Sequence, residues 1–366
     1  MFVDNPSKTY HLIGCMSGTS LDGIDLAYVK FTKEGDWSFE ILASHTHQYS
    51  ASWRRKLAEA IKLSPAEISK LDADYTRFLS RQILDFMDQK KIHPLDAVAT
   101  HGHTVFHQPN KGLTFQMGNL AELADELGCT VVCDFRVQDV ALGGQGAPLV
   151  PIGDIYLFKT YQACLNLGGF SNISVKSDPA VLAYDICAVN TVLNALAQRK
   201  NRVYDDRGKM ARIGKFLPPF YQELEEINHY SETPPKSLGQ EWVNKNVVPI
   251  IYKYSQQPTE DLLHTYTHHI SDQIVKCLPD QGAVLLSGGG TYNTYLVELL
   301  KQKSRAEIVI PPPALIDYKE ALIFGFLGLL RLLGSDNCLA NVTGARHDHS
   351  SGKIFHPKRK SNSDYL

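Results

Sequence analysis

One pattern occurs twice in this chain of 366 residues and limits its fold more than any other feature. Residues 12–16 and 26–31 are short apolar runs joined by a polar turn, and residues 39–43 follow as a third strand candidate. The pattern restarts near the middle of the chain. Residues 163–167 and 172–175 flank Gly168-Gly169-Phe170-Ser171, and a third run, residues 180–184, ends at Asp185. Each half therefore opens with a hairpin whose tip carries glycine and serine. In the first half a helix then starts at Ser64-Pro65-Ala66-Glu67. Ser64 is the cap, Pro65 suits the first helical position, and Glu67 completes a capping box. Ile68, Leu71, Tyr75, Leu79, Ile83 and Met87 recur at helical spacing and form one buried face. A strand at 97–99, a helix at 120–127 and a strand at 130–133 come next. Three strands, helix, strand, helix, strand implies a mixed sheet with helices on both faces.

The first turn also points to chemistry. Ser17-Gly18-Thr19-Ser20-Leu21-Asp22-Gly23-Ile24-Asp25 holds two glycines, three hydroxyls and two carboxylates. Backbone N–H groups and hydroxyls in such a turn are free to face an anion, and glycine lets the backbone come close. Carboxylates beside a phosphate require a divalent cation or a reacting proton between them. The residues thus suggest a metal-bound nucleotide phosphate; the alternative is a hairpin turn that simply needs Gly, Asp and Ser. A second glycine run, Gly288-Gly289-Gly290, lies between a strand at 283–287 and a helix at 295–301. It reads as the adenosine or phosphate side of a nucleotide site, or as close strand–helix packing.

Bulk properties exclude several classes. At 43% hydrophobic and 21% charged residues with net charge -2, the chain has no electrostatic footprint for nucleic acid. No apolar run approaches the ~20 residues of a membrane span. Residues 1–11 lack the apolar core of a signal peptide. Seven scattered cysteines fit free buried thiols in a reducing cytoplasm, and Cys129 and Cys133 lack zinc spacing. The length favours two domains, with a boundary near the loop Gly143-Gly144-Gln145-Gly146-Ala147-Pro148. Residues 319–333 read as a buried apolar helix. The stretch 346–366, with His347, His349 and His356, reads as a flexible polar tail, with metal binding there the secondary reading.

Several segments together resemble the anhydro-N-acetylmuramic acid kinase family, of the actin, sugar-kinase and heat-shock-chaperone ATPase superfamily. They are Gly-Thr-Ser-Leu-Asp-Gly-Ile-Asp at 18–25, His101-Gly102-His103-Thr104-Val105, Gln116-Met117-Gly118-Asn119, Asp134-Phe135-Arg136, Asp139-Val140-Ala141 and residues 143–151. Asn166-Leu167-Gly168-Gly169-Phe170-Ser171-Asn172-Ile173, Pro234 to Ser237, Gly288 to Gly290 with Asn293, Glu320-Ala321 and Val342 to Ala345 follow in order. The resemblance spans residues 12–344. One stretch departs: the family pattern Phe-Asp-Thr-Gly-Pro-Gly-Asn stands here as Tyr184-Asp185-Ile186-Cys187-Ala188-Val189-Asn190, without its glycines and proline.

The resemblance implies an α/β fold of two ribonuclease-H-like domains facing a nucleotide cleft, residues 1–145 and 146–345, with 346–366 as tail. It implies ATP- and Mg²⁺-dependent opening and 6-phosphorylation of 1,6-anhydro-N-acetylmuramic acid by a cytoplasmic homodimer, in cell-wall recycling. It makes Asp185 the catalytic base, against the reading of an Asp that caps the helix at Asn190. Glu320 helps hold the water, against the reading of a first-turn helix Glu. Gly18, Thr19, Ser20, Leu21, Asp22, Gly23, Ile24 and Asp25 bind nucleotide, with Mg²⁺ near Asp22. Gly168, Gly169, Asn172, Gly288, Gly289, Gly290 and Asn293 join them. His103, Thr104, Asp134, Arg136 and Gln145 are sugar-site candidates, with a structural Asp134–Arg136 pair as the alternative. The altered loop keeps two other readings open: a kinase for a different sugar, and a nucleotide-binding relative without sugar kinase activity.

Overall fold

The computed structural model describes residues 8–18, 21–177, 180–234 and 236–358. Twelve strands are present among them: β1 (Lys8–Ser17), β2 (Gly23–Glu34), β3 (Asp36–Gln48), β4 (Ala97–Gln108), β5 (Leu113–Met117), β6 (Val131–Cys133), β7 (Ala163–Leu167), β8 (Phe170–Ser177), β9 (Ala180–Ala188), β10 (Ala283–Ser287), β11 (Glu307–Val309) and β12 (Lys353–Phe355). They form two sheets, ordered β12-β6-β4-β1-β2-β3 with β5 on β4, and β11-β10-β7-β8-β9. Counted within each sheet and leaving aside β5, which hangs off β4, the central order is 3-2-1-4-5 both times, three antiparallel strands followed by two parallel ones. This is the ribonuclease-H-like plan, twice.

Pattern and packing agree in the first sheet. Ile13 and Cys15 of β1 join the buried cluster that also holds Leu71, Tyr75, Leu79, Ile83 and Phe86 of the helix Pro65–Lys90. Each such large side chain contributes roughly 1.5–3 kcal/mol on burial. The capping box forms as read: Ser64 and Glu67 bond each other's backbone N–H. Phe86 rather than Met87 closes the buried face, because 83 to 86 is also a helical spacing. Gly14, on the other face of β1, lies against the helix Pro313–Leu332: a Cβ there would meet the Ala321 carbonyl oxygen at 1.8 Å. Helices thus cover both faces.

The chain divides into contact units 1–157 with 318–366, and 158–317. This differs from the expected break at 145 and the expected tail at 346. The helix Pro151–Leu157 stays with the first unit through a buried 2.7 Å ion pair between Asp154 and Lys319. The returning segment is folded. Cys338 and His349 exchange both backbone hydrogen bonds, and β12 pairs antiparallel with β6. Phe355 packs on the first unit's core, and Lys353 and Lys358 reach Asp134 and Asp125. Residues 359–366 of the expected tail lie outside the described residues. No described helix is long and apolar enough to cross a membrane. All seven cysteines are free, five of them buried.

Candidate active site

In the first unit the β1–β2 turn is held from beneath. The Ser17 Oγ lies 2.7 Å from the Tyr49 hydroxyl and 3.0 Å from His103 Nδ1, and Tyr49 lies 2.6 Å from the Tyr75 hydroxyl. Ser17 and His103 are buried, and Tyr49 and Tyr75 nearly completely so. Burial lowers His103 to about 4, so its ring is neutral near pH 7. His103 therefore supports the turn, and Thr104 beside it pairs with Gln116 on β5. Tyr49 gives no local sequence signal, and Tyr75 reads from the sequence only as part of the buried helix face. Within the turn Leu21 adopts φ 60°, Asp22 is exposed, and Thr19 and Ser20 lie outside the described residues. Gly23 admits no side chain, because a Cβ would sit 2.4 Å from the His47 carbonyl oxygen. Ile24 is fully buried in the core, while Asp25 accepts a 2.6 Å hydrogen bond from Thr46.

Asp25, Arg136 and Glu320 share one electrostatic environment. Burial raises the Glu320 carboxyl, Lys319 lowers it, Asp25 raises it further, and Arg136 opposes that. Burial lowers Arg136 to about 10, and Glu320 pulls it back up, so the guanidinium stays charged. Arg136 donates to His101 Nε2 at 2.7 Å and to the Gly146 carbonyl at 2.5 Å. Asp134, at φ 60°, instead pairs with Lys353 at 2.7 Å. The alternative Asp134–Arg136 pair is not what these side chains make. Gln145 has an exposed side chain and a backbone N–H bonded to the Thr343 carbonyl. Glu320 is not a first-turn residue: its helix begins at Pro313, because the proline run that looks like a breaker supplies a first-turn proline.

In the second unit the sheet aligns Ser287, Asn166, Asn172 and Asp185 in register across β10, β7, β8 and β9. Residues directly opposite share a face. Asp185 does not end its strand. β9 continues through Ile186, Cys187 and Ala188, with a register shift opposite Ser171 and Asn172. All three, with Val189, are buried in the unit's core. Apolar residues in place of glycine and proline let the strand run on. Nor does Asp185 cap the following helix, Asn190–Gln198. Its Oδ2 accepts from the Leu238 N–H at 2.8 Å, and burial raises its carboxyl.

The second tip spends its carbonyls on that helix. Gly169 O accepts from the Val189 and Thr191 N–H groups, and Gly168 O from that of Asn190. Gly288, at φ 79°, and Gly290 press on Leu167, whereas a Cβ at Gly289 would meet nothing within 4 Å. Close packing thus explains two glycines of this run, and Gly289 is the open one. Asn293 caps the helix Thr294–Lys303, accepting from the Leu296 N–H at 3.1 Å. Its side chain is engaged there.

The sequence model of anhydro-N-acetylmuramic acid kinase matches residues 10–357. Enzymes of that name from Hydrogenovibrio crunogenus and Vibrio cholerae are each 32% identical, over 96% and 94% of this chain and 99% and 98% of theirs. The one from Francisella tularensis subsp. novicida is 30% identical over 95% of this chain and 99% of its own. A solved xylulose kinase from Lactobacillus acidophilus aligns at 12% identity and TM-score 0.43, over 97% of this chain and 95% of that one. The chain belongs to the anhydro-N-acetylmuramic acid kinase family.

Proposed function

We propose that this protein is an ATP-dependent kinase that opens 1,6-anhydro-N-acetylmuramic acid with water and phosphorylates the released 6-oxygen. The products are N-acetylmuramic acid 6-phosphate and ADP. The observation that carries this reading is the family match across residues 10–357. Water attacks the anomeric carbon, the bridging oxygen leaves from it, and that oxygen takes the γ-phosphoryl group. The water must lose a proton, and Asp185 is the base. Leu238 fixes one carboxylate oxygen, which orients the group and leaves the other for water. A carboxyl raised by burial is a stronger base than an exposed one. Glu320, whose carboxyl is also raised by burial, assists in proton handling. Arg136 carries positive charge for the sugar's lactyl carboxylate.

Backbone groups of the Gly18–Asp25 turn, of Gly168 and Gly169, and of Gly289 contact the nucleotide in this reading. The exposed Asp22 suits Mg²⁺ on the phosphates, where the ion offsets charge on the transferring group. The protein works as a cytoplasmic homodimer. A second reading rests on one observation, the burial of Ile186 to Val189 where the family pattern has glycine and proline. It is a kinase of the same fold with a different sugar. Purified protein with ATP, Mg²⁺ and 1,6-anhydro-N-acetylmuramic acid should release ADP and sugar phosphate in equal amounts. ADP release only with another sugar selects the second reading, and ATP binding without any sugar-dependent turnover sinks both.

A further inference from the structure

Asp139 and the pair Cys338–His349 come from two segments of the first unit about 200 residues apart and meet in its interior. Asp139 lies on the helix Val137–Ala141, and Cys338 and His349 form a backbone-bonded pair in the returning segment. All three are buried, and one potential ligand atom from each lies within 4.8 Å of the others. Their surroundings fix how these atoms point. Asp139 Oδ2 accepts from the Gly146 N–H at 2.6 Å, and Oδ1 accepts from the Thr343 hydroxyl at 2.7 Å. His349 Nδ1 lies 3.1 Å from the His347 carbonyl, which can only accept, so Nδ1 carries the hydrogen. The other ring nitrogen, Nε2, faces inward. That atom is buried with no hydrogen-bond partner, and it faces Asp139 Oδ1 at 3.5 Å. Two acceptor atoms facing each other in a dry interior need a proton or a metal cation between them, and a third ligand-type atom, Cys338 Sγ, beside the pair points to a metal.

We propose that Asp139 Oδ1, Cys338 Sγ and His349 Nε2 form a binding site for a zinc-class divalent cation. The ligand types select the ion: imidazole and thiolate suit zinc or cobalt, not magnesium. Tetrahedral zinc, with bonds of about 2.0–2.3 Å, spaces its ligand atoms roughly 3.3–3.6 Å apart. The Asp139–His349 pair already has that spacing, and Cys338 Sγ lies within 4.8 Å of both. The His347 carbonyl and the Thr343 hydroxyl are the outer partners that such ligands use to hold ring and carboxylate in place. The charges balance, because carboxylate and thiolate neutralise the ion, while nearby Arg136 is offset by Glu320. The site is structural. It ties residues 338–349 to Asp139, which holds Gly146, whose carbonyl in turn holds Arg136.

Cobalt is the probe. The full chain, stripped with chelator and titrated with Co²⁺, should take up one equivalent and show thiolate-to-cobalt charge-transfer absorption with intense tetrahedral bands. Zn²⁺ should displace it and raise Tm. Cys338→Ser should abolish the charge-transfer band, and Thr343→Val should weaken binding about tenfold through the outer partner. Stripped wild-type protein that is folded yet binds no Co²⁺ overturns the site. A charge-transfer band that survives in Cys338→Ser overturns it too, by assigning the metal to another cysteine. If Cys338→Ser does not fold, the wild-type titration and its Zn²⁺-dependent Tm still decide.

Discussion

The turn between β1 and β2 is anchored by side chains beneath it, Ser17 with Tyr49 and His103, whereas the turn between β7 and β8 is anchored by its own carbonyls on the following helix. The strand order around the two is the same. Side-chain anchoring makes the first turn depend on groups far along the chain, one of them titratable. Backbone anchoring ties the second mainly to the local path of residues 167–191, with Gly288 and Gly290 packed on Leu167. That path carries β9 past Asp185, so the carboxylate proposed as the base sits within a strand rather than on a glycine loop.

The sharpest break of this comparison is Asp185→Asn. Asparagine keeps an acceptor for the Leu238 N–H, so fold and nucleotide affinity should persist while basicity disappears. Loss of a general base predicts a kcat lower by about 10²–10⁴-fold. Calorimetry with a non-hydrolysable nucleotide, beside steady-state turnover, checks both halves. Turnover near the wild-type rate refutes the assigned base. In the wild type, the acid limb of kcat/KM should lie above the usual carboxylate range, because only ionised Asp185 accepts the proton and burial raises its carboxyl.

The first turn is tested through pH. His103 falls to about 4 in the folded protein from an ordinary 6.5, so the unfolded chain binds the extra proton between those values. Its contribution is intact above about pH 6.5 and is lost as pH falls toward 4, up to about 3 kcal/mol. His103→Gln should flatten this acid limb in urea-unfolding curves measured from pH 4 to 7. An unchanged limb assigns the acid sensitivity elsewhere.

The smallest effect separates two adjacent glycines in the second unit. Gly288→Ala forces φ 79° on a residue with a Cβ and pushes it to 2.4 Å from Asn166 Oδ1. It should cost about 1–3 kcal/mol. Gly289→Ala meets open space and should stay within about 0.5 kcal/mol in stability. If Gly289 faces the nucleotide as proposed, the effect of this variant is a change in ATP affinity instead. Equal Tm losses in the two variants would remove the distinction between packing and ligand-facing glycine.

The capping box at Ser64 and the two hairpins were legible because their signals are local, a few residues in fixed spacing. Glu320 was expected in a first turn because the apolar run starts at residue 319, yet the helix opens at Pro313. The strand beyond Asp185 was hidden for the opposite reason. Ile186 to Ala188 read as a disturbed loop only against the family pattern, while their own chemistry favours a buried strand. The chain after Arg346 looked like a solvated tail because its residues are polar. Their partners, Asp134, Asp125, Asp139 and the edge of β6, lie more than 200 residues away.

By itself the sequence determined the alternation of strands and helices, the two glycine-bearing turns and membership of the kinase family, since these rest on short-range spacing and ordered motifs. Tertiary structure alone decided which polar side chains support the turns and which remain for chemistry. It drew His103 beneath the first turn, turned Asp134 to Lys353, spent Asn293 as a helix cap and gathered Asp139, Cys338 and His349 in one interior. The physical reason is that a buried polar group must find a partner wherever the fold provides one. Residue type announces that need, but the partner's distance along the chain is set by packing.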